Sequence, residues 1–136
     1  MDQREAIVAV LRRDDRVLVI RRGPEARRSG YWAPLSGKIE PGETQREAVV
    51  REVHEEVGLH VSPQAKVWES ETDDGRFRLH WWTAEVGPGP ATDAAVLHLD
   101  AGEVSEARWV TATEFLNMDP IFYGDREFFE RVLPAL

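Results

Sequence analysis

The sequence predicts an α/β fold: a mixed β-sheet lying between helices. Two apolar, β-branched segments, each closed by a polar turn, read as hairpins. Between them, valine recurs every fourth residue from Val49 to Val57, the spacing of a buried helical stripe. The chain ends in an amphipathic segment carrying Phe128, Phe129 and Val132. Strands and helices interleaved in this way imply a sheet covered by helices.

The elements follow in order. Ala6 to Leu11 (AIVAVL) is apolar without alternation, as expected of a central strand. Arg13-Asp14-Asp15-Arg16 is a turn, and Val17 to Ile20 pairs back as a hairpin. Gly23 to Gly30 is a loop, and a short strand is expected near Trp32. Pro41-Gly42 signals a turn. Thr44 followed by Glu47 forms a capping box, so a helix should start at about Gln45. Gly58 suits the left-handed residue that ends it. Val61 to Thr72 and Phe77 to Val86 flank the turn Asp73-Asp74-Gly75 as a second hairpin. Gly87-Pro88-Gly89-Pro90 breaks the chain, and Ala91 to Gly102 is a long connection with room for a short strand at Val96 to Leu99. Ala107 to Val110 is a last strand, a short helix runs from Thr113 to Leu116, and a final helix spans Asp125 to Leu133.

The 136 residues suit one domain (1–136) with a single good core. The absence of cysteine excludes disulfides, thiolate metal sites and cysteine nucleophiles. The N-terminal MDQREAIVAVLRR has no apolar run of signal-peptide length, and nothing approaches a membrane span, so a soluble cytoplasmic protein is expected. A net charge of −8 argues against binding nucleic-acid polymers. Against that average, Arg21, Arg22, Arg27, Arg28 and Lys38 form a basic stretch interrupted by Glu25 alone. Arg22 and Lys38, near strand ends, are the candidates for phosphate contact.

The most informative feature is a set of three glutamates on one helix face. Glu52, Glu55 and Glu56 fall within roughly a 100° arc. Each like-charge pair at i,i+3 or i,i+4 costs roughly 0.2–0.5 kcal/mol. The negative end of the helix dipole adds roughly 0.3–1 kcal/mol. A plain solvated acidic face would bring basic partners at helical spacing. On a helical wheel, Arg51 and His54 point to other sides and Arg46 lies a turn and a half back. A hard divalent cation is then the natural occupant of an oxygen-only cluster.

From Gly37 the chain reads GKIEPGETQREAVVREVHEEVGL. It matches without a gap the pattern G-x5-E-x7-R-E-U-x-E-E-x-G-U, U being aliphatic: nine fixed positions over the twenty-three residues Gly37 to Leu59. The chain therefore resembles the Nudix hydrolases (MutT-like). The resemblance implies an α/β/α sandwich and hydrolysis of a nucleoside diphosphate linked to another moiety, X. It implies Mg²⁺ or Mn²⁺ as cofactor, and Glu52, Glu55 and Glu56, with Gly37, as the metal-binding set. Many family members carry Leu-Pro-Gly-Gly where this chain has Pro34-Leu35-Ser36-Gly37, a departure that touches loop geometry but no metal ligand. Arg51 is expected to orient a glutamate through a forked hydrogen bond.

Some family members place a further carboxylate before the last strand. Asp100, Glu103 and Glu106 are available, and Glu103 is the choice for a catalytic base, a solvated loop acid being the alternative. Trp32, Trp82, Phe122 and Tyr123 are candidates for stacking on a base, although core packing is the commoner fate of such residues. Asn117 and Asp119 are candidates for a base edge. The four histidines show no ligand spacing. The expected partner is a small nucleotide. The lack of an added N-terminal domain favours a compact nucleoside triphosphate, such as an oxidised purine triphosphate, over a nucleotide sugar such as ADP-ribose. A silent nucleotide-sensing module and a calcium-stabilised domain are the competing readings. The family often dimerises, which leaves a homodimer open.

Overall fold

The computed structural model describes residues 3–86 and 97–136. It contains β1 (Arg4–Arg13), β2 (Arg16–Arg22), β3 (Trp32–Lys38), α1 (Gln45–Val57), β4 (Val61–Glu71), β5 (Phe77–Val86), β6 (Val104–Thr111), α2 (Ala112–Leu116) and α3 (Tyr123–Glu127). A π-helical turn (Phe128–Val132) and a 3₁₀ turn (Leu133–Ala135) continue α3, where a single helix was expected. The Gly87–Pro90 break and Ala91 to Val96 lie outside the described residues, and Leu97 to Leu99 form no strand.

The sheet has the order β4-β5-β1-β3-β2-β6. β1 runs parallel to β5 and antiparallel to β3, so the sheet is mixed, as expected. The first hairpin differs from expectation. β1 and β2 pair only at Arg12↔Val17 and Arg13↔Arg16, beside the turn. Beyond it they splay, and β3 fills the gap, pairing with both. A turn sets the pairing of its nearest residues only; the third strand supplies hydrogen-bond partners for the rest.

Both faces of the sheet are buried, which explains the unbroken apolar run in β1. Ile7, Ala9 and Leu11 pack with Val49, Val53 and Val57 of α1. Val8 and Val10 face the other way, onto Trp81, Phe115, Phe128 and Phe129. Each fully buried valine of the α1 stripe is worth roughly 1.5–3 kcal/mol, which exceeds the charge repulsion on the helix's acidic face. α1 begins and ends where the local signals put it. Thr44 accepts from the Glu47 N–H while Glu47 accepts from the Thr44 N–H, and Gly58 adopts φ 77°.

Past α1, the segment before β6 docks on the end of the helix. The N–H of His98 donates to the Val57 carbonyl at 3.1 Å, and that of Asp100 to the Glu56 carbonyl at 3.0 Å. These bonds satisfy carbonyls the helix cannot pair itself. They also carry Glu103 to the acidic face.

Candidate active site

Glu56, Glu52, Glu103, Arg22 and Lys38 all line one cleft of about 670 Å³. α1 supplies the glutamates, the ends of β2 and β3 supply Arg22 and Lys38, and the loop before β6 supplies Glu103. Asp100 lines the cleft as well, whereas Glu106 does not.

Gly37 is where β3 meets the helix. A Cβ there would collide with the carboxylate of Glu52, so only glycine lets that carboxylate lie against the strand. Burial pushes the Glu52 carboxyl up, against the opposing pull of Arg51. Glu56 is more extreme. Its Oε2 is buried with no hydrogen-bond partner. Burial first, then Glu52, raise its pKa well above the usual carboxylate range; Arg22 and a backbone hydrogen bond at Ser36 pull it down, and Glu103 adds a further push upward.

Arg51 does not point away, as the helical wheel implied. Its long side chain swings back along the helix and ties the acidic groups together. Nε donates to Glu43 Oε2 at 2.7 Å and Nη2 to Glu43 Oε1 at 2.9 Å, a forked pair. Nη1 donates to Glu52 Oε1 at 2.8 Å and to Glu55 Oε2 at 3.1 Å. Nη2 also reaches the Lys38 carbonyl at 2.9 Å. The fork grips Glu43 in the loop preceding the helix, while a single N–H orients Glu52. Glu55 is the most exposed of the three helix glutamates.

Three residues expected to contact substrate lie away from this cleft. Trp82 lies on the α1 side of the sheet, where its Nε1 donates to Gln45 Oε1 at 2.8 Å and Arg46 stacks on its ring. Asn117 caps α2 and donates to the Thr113 carbonyl at 2.9 Å. Neither these two nor Asp119 lines the cleft. Phe122 does, its ring tilted against that of Tyr31 at 4.8 Å between centroids. Trp32 is buried under Arg108. Of the loop arginines, Arg27 spans the cleft to Asp74 at 3.1 Å. Its carbonyl accepts from Arg22 Nε.

Sequence reasoning passed over Asp125. It stands in the first turn of α3, 7% exposed, and lines the cleft. An aspartate opening an amphipathic helix carries no local mark of burial.

The donor set around Glu56 is all oxygen, and one buried oxygen lacks a partner, so the residues fit a hard divalent cation. Among the described residues, no three acidic or histidine side chains already converge at ligand distance. Arg51 holds Glu52 and Glu55 instead.

The NUDIX domain model matches residues 1–132. The chain belongs to the Nudix family. Three similar proteins place it within that family. It is 35% identical over 80 residues to the CTP pyrophosphohydrolase of Escherichia coli K12, covering 57% of this chain and 59% of that protein. It is 35% identical over 93 residues to the 8-oxo-dGTP diphosphatase of the same organism, covering 65% and 71%. The crystal structure of the MutT protein from Methanosarcina mazei Go1 superposes with a TM-score of 0.80 at 25% identity, covering 99% of this chain and 97% of that one. The chain thus spans less than two thirds of the first of these relatives. The Nudix sandwich inferred from the sequence is the fold observed, with α1 on one face of the sheet and the C-terminal helices on the other. Among the described residues, no helix is long and apolar enough to cross a membrane.

Proposed function

We propose that this Nudix protein is a metal-dependent pyrophosphohydrolase acting on a nucleoside diphosphate linked to another moiety. The observation that carries the proposal is the buried, unpartnered Glu56 Oε2 beside Glu52 in a cleft rimmed by Arg22 and Lys38. A carboxylate kept dry without a partner is costly, and one in a cleft that also carries Arg22 and Lys38 makes sense as a cation ligand. The names of the relatives, which act on CTP and 8-oxo-dGTP, support a nucleotide substrate.

Glu52 and Glu56, with Glu55 and the Gly37 carbonyl, would hold Mg²⁺ or Mn²⁺. When bound, the ion neutralises charge on the phosphate oxygens and makes water more acidic. The chain's own residues do the rest. Arg22 and Lys38 bind and orient the phosphates. Arg51, held by Glu43, fixes Glu52. Glu103, which lines the same cleft as Glu56, accepts the proton of the attacking water. That water's oxygen joins one phosphorus as the bridging P–O bond breaks, giving a nucleoside monophosphate and the phosphorylated remainder. Positioning and charge neutralisation supply most of such a rate enhancement. A cytoplasmic setting accords with such a substrate.

The test is hydrolysis of a panel containing CTP, 8-oxo-dGTP, dGTP and ADP-ribose, with Mg²⁺, with Mn²⁺ and with excess chelator. Cleavage at the pyrophosphate should require the added cation. In ¹⁸O water the label should appear on one phosphorus of the products. Full activity in chelator, or label on carbon, overturns the assignment.

A further inference from the structure

β3 carries a second polar side chain toward the cleft besides Lys38. Ser36 pairs with Val8 across the β1–β3 ladder, and Lys38 pairs with Ala6. Paired residues share a face of a sheet, as do residues two apart on one strand. Ser36 and Lys38 therefore stand on the face shared with Ala6 and Val8, about 7 Å apart along the strand, and all four line the cleft. Gly37, between them, turns the other way, toward the Glu52 carboxylate. The Ser36 N–H bonds the Glu56 carboxylate. One residue thus holds the acidic helix with its backbone and turns its side chain to the cleft. The Ser36 hydroxyl makes no hydrogen bond among the described residues, and it is not among the buried polar atoms that lack a partner. It is therefore open to whatever enters the cleft. Many family members carry glycine at this position, so the hydroxyl is a departure of this chain.

We propose that the Ser36 hydroxyl donates a hydrogen bond to a non-bridging oxygen of the phosphate that lies beside Glu56, which makes Ser36 a further substrate-binding residue. The inference rests on the nucleotide-hydrolase function proposed above. A phosphate oxygen is an anionic acceptor, and a hydroxyl is a donor that rotates to meet it. The neutrality of the donor matters at this position. A lysine or arginine there would pair with the Glu52 and Glu56 carboxylates and compete with a divalent cation. A hydroxyl leaves the free Oε2 of Glu56 to the cation and still serves the phosphate. The two side chains of β3 then divide the task. Lys38 supplies a positive charge on a long, flexible stem. Ser36 fixes one oxygen from a short side chain that loses little rotamer freedom.

The test is calorimetric binding of inorganic pyrophosphate, in Mg²⁺, to wild type and to the S36A, S36G and S36T variants. S36A keeps the β-carbon and the backbone N–H and removes only the hydroxyl. It should bind pyrophosphate about tenfold more weakly, the loss expected for one hydrogen bond to a charged group. S36G should match S36A. S36T restores a hydroxyl on a residue that suits a strand and should recover most of the affinity. Mn²⁺ affinity, measured without phosphate, should be equal in wild type and S36A, because the N–H that holds Glu56 is untouched. A purely structural role would move both affinities together. Pyrophosphate affinity in S36A within twofold of wild type overturns the proposal, as does failure of wild type to bind pyrophosphate. An equal loss of Mn²⁺ affinity overturns it too, since the hydroxyl would then serve the cation. Should S36A fail to fold, S36G and S36T decide, and equal pyrophosphate affinity in those two overturns the proposal. Hydrolysis of the nucleotide panel by wild type is scored separately. Ser36-dependent binding without cleavage would sink the hydrolase function and leave the phosphate contact, and cleavage with S36A binding like wild type would do the reverse.

Discussion

Arg51 and Glu43, eight residues apart, are joined by two nearly parallel hydrogen bonds of 2.7 and 2.9 Å across the junction between loop and helix. The bond to Arg51 is the main influence holding the Glu43 carboxyl below its usual range. The pair fixes the loop that follows β3 against α1, and through Nη1 the same guanidinium sets the Glu52 carboxylate. Arginine here is a positioning residue.

Lysine cannot reproduce a fork. R51K should therefore lower stability by about 1–3 kcal/mol, the range for charged hydrogen bonds in a partly buried site. It should lower kcat more than KM, because Glu52 loses its orientation while Arg22 and Lys38 still bind phosphate. Thermal melting and steady-state kinetics check both. The pair also gives a pH signature. Glu43's folded pKa is depressed, so its contribution is present above the ordinary carboxylate range and lost as pH falls through the folded value. Wild type and R51K should converge in stability on acidification, and a constant gap down to pH 2 would show that the fork contributes nothing through ionisation.

Gly37 gives the most selective substitution. In G37A the new methyl group meets the Glu52 carboxylate, a flexible side-chain end that can move aside. The fold should survive, while Glu52 is displaced and the affinity for Mn²⁺ falls at least tenfold. Paramagnetic titration of Mn²⁺ on both proteins reads this without turnover. Wild-type Mn²⁺ affinity in G37A would mean that Glu52 is not a ligand.

Glu103 lines the same cleft as Glu56 and is near enough to act on its charge, and the Gly23 N–H donates to the Glu103 carbonyl at 2.8 Å. E103Q keeps the shape and removes the base. General base catalysis contributes about 10²–10⁴-fold, so kcat should drop by that order and the rise of rate with pH should flatten. A variant within twofold of wild type would move the base onto α1.

These predictions draw on parts of the molecule that were unequally visible in the sequence. Helix α1 was legible to the residue because its cap, valine stripe and terminal glycine are all local signals. The glutamates, Gly37, Arg22, Lys38 and Glu103 were legible from the spacing of the box and its flanks, and the structure places them on one cleft. Trp82 was not. Alternation along β5 separates Trp81 from Trp82, but both faces of the sheet are covered, so both are buried. Arg51 was misdirected because a helical wheel gives the direction of the Cα–Cβ bond, not the reach of a long side chain. Asp125 stayed hidden because its burial comes from a packing environment assembled from distant segments, among them the turn at Asp73 and the end of β2.

The last prediction concerns stability and returns to Glu56. Its pKa is raised in the fold, chiefly by burial and then by Glu52. For an acid raised in this way, the sign is unfavourable. Below the unfolded value both states hold the proton and nothing is lost. As pH rises above about 4.3, the unfolded chain ionises while the folded one keeps its proton, so stability falls until the folded pKa is passed. Glutamine, neutral throughout, escapes this penalty, whose origins are burial and the neighbouring Glu52 charge. In chelator at pH 7, E56Q should be the more stable protein by about 0.5–1 kcal/mol, and at pH 4 the gap should close. Arg51 does not offset the effect at this position, since its guanidinium bonds Glu43, Glu52 and Glu55. With saturating Mg²⁺ the order should reverse, because a ligand that binds only the folded state stabilises the protein with the intact site more. Calorimetry of both proteins at pH 4 and pH 7, with chelator and then with metal, decides it. A less stable E56Q in chelator at pH 7 would mean that the buried carboxylate already has a stabilising partner in Arg22, and that the cleft holds its charges in balance before any cation arrives.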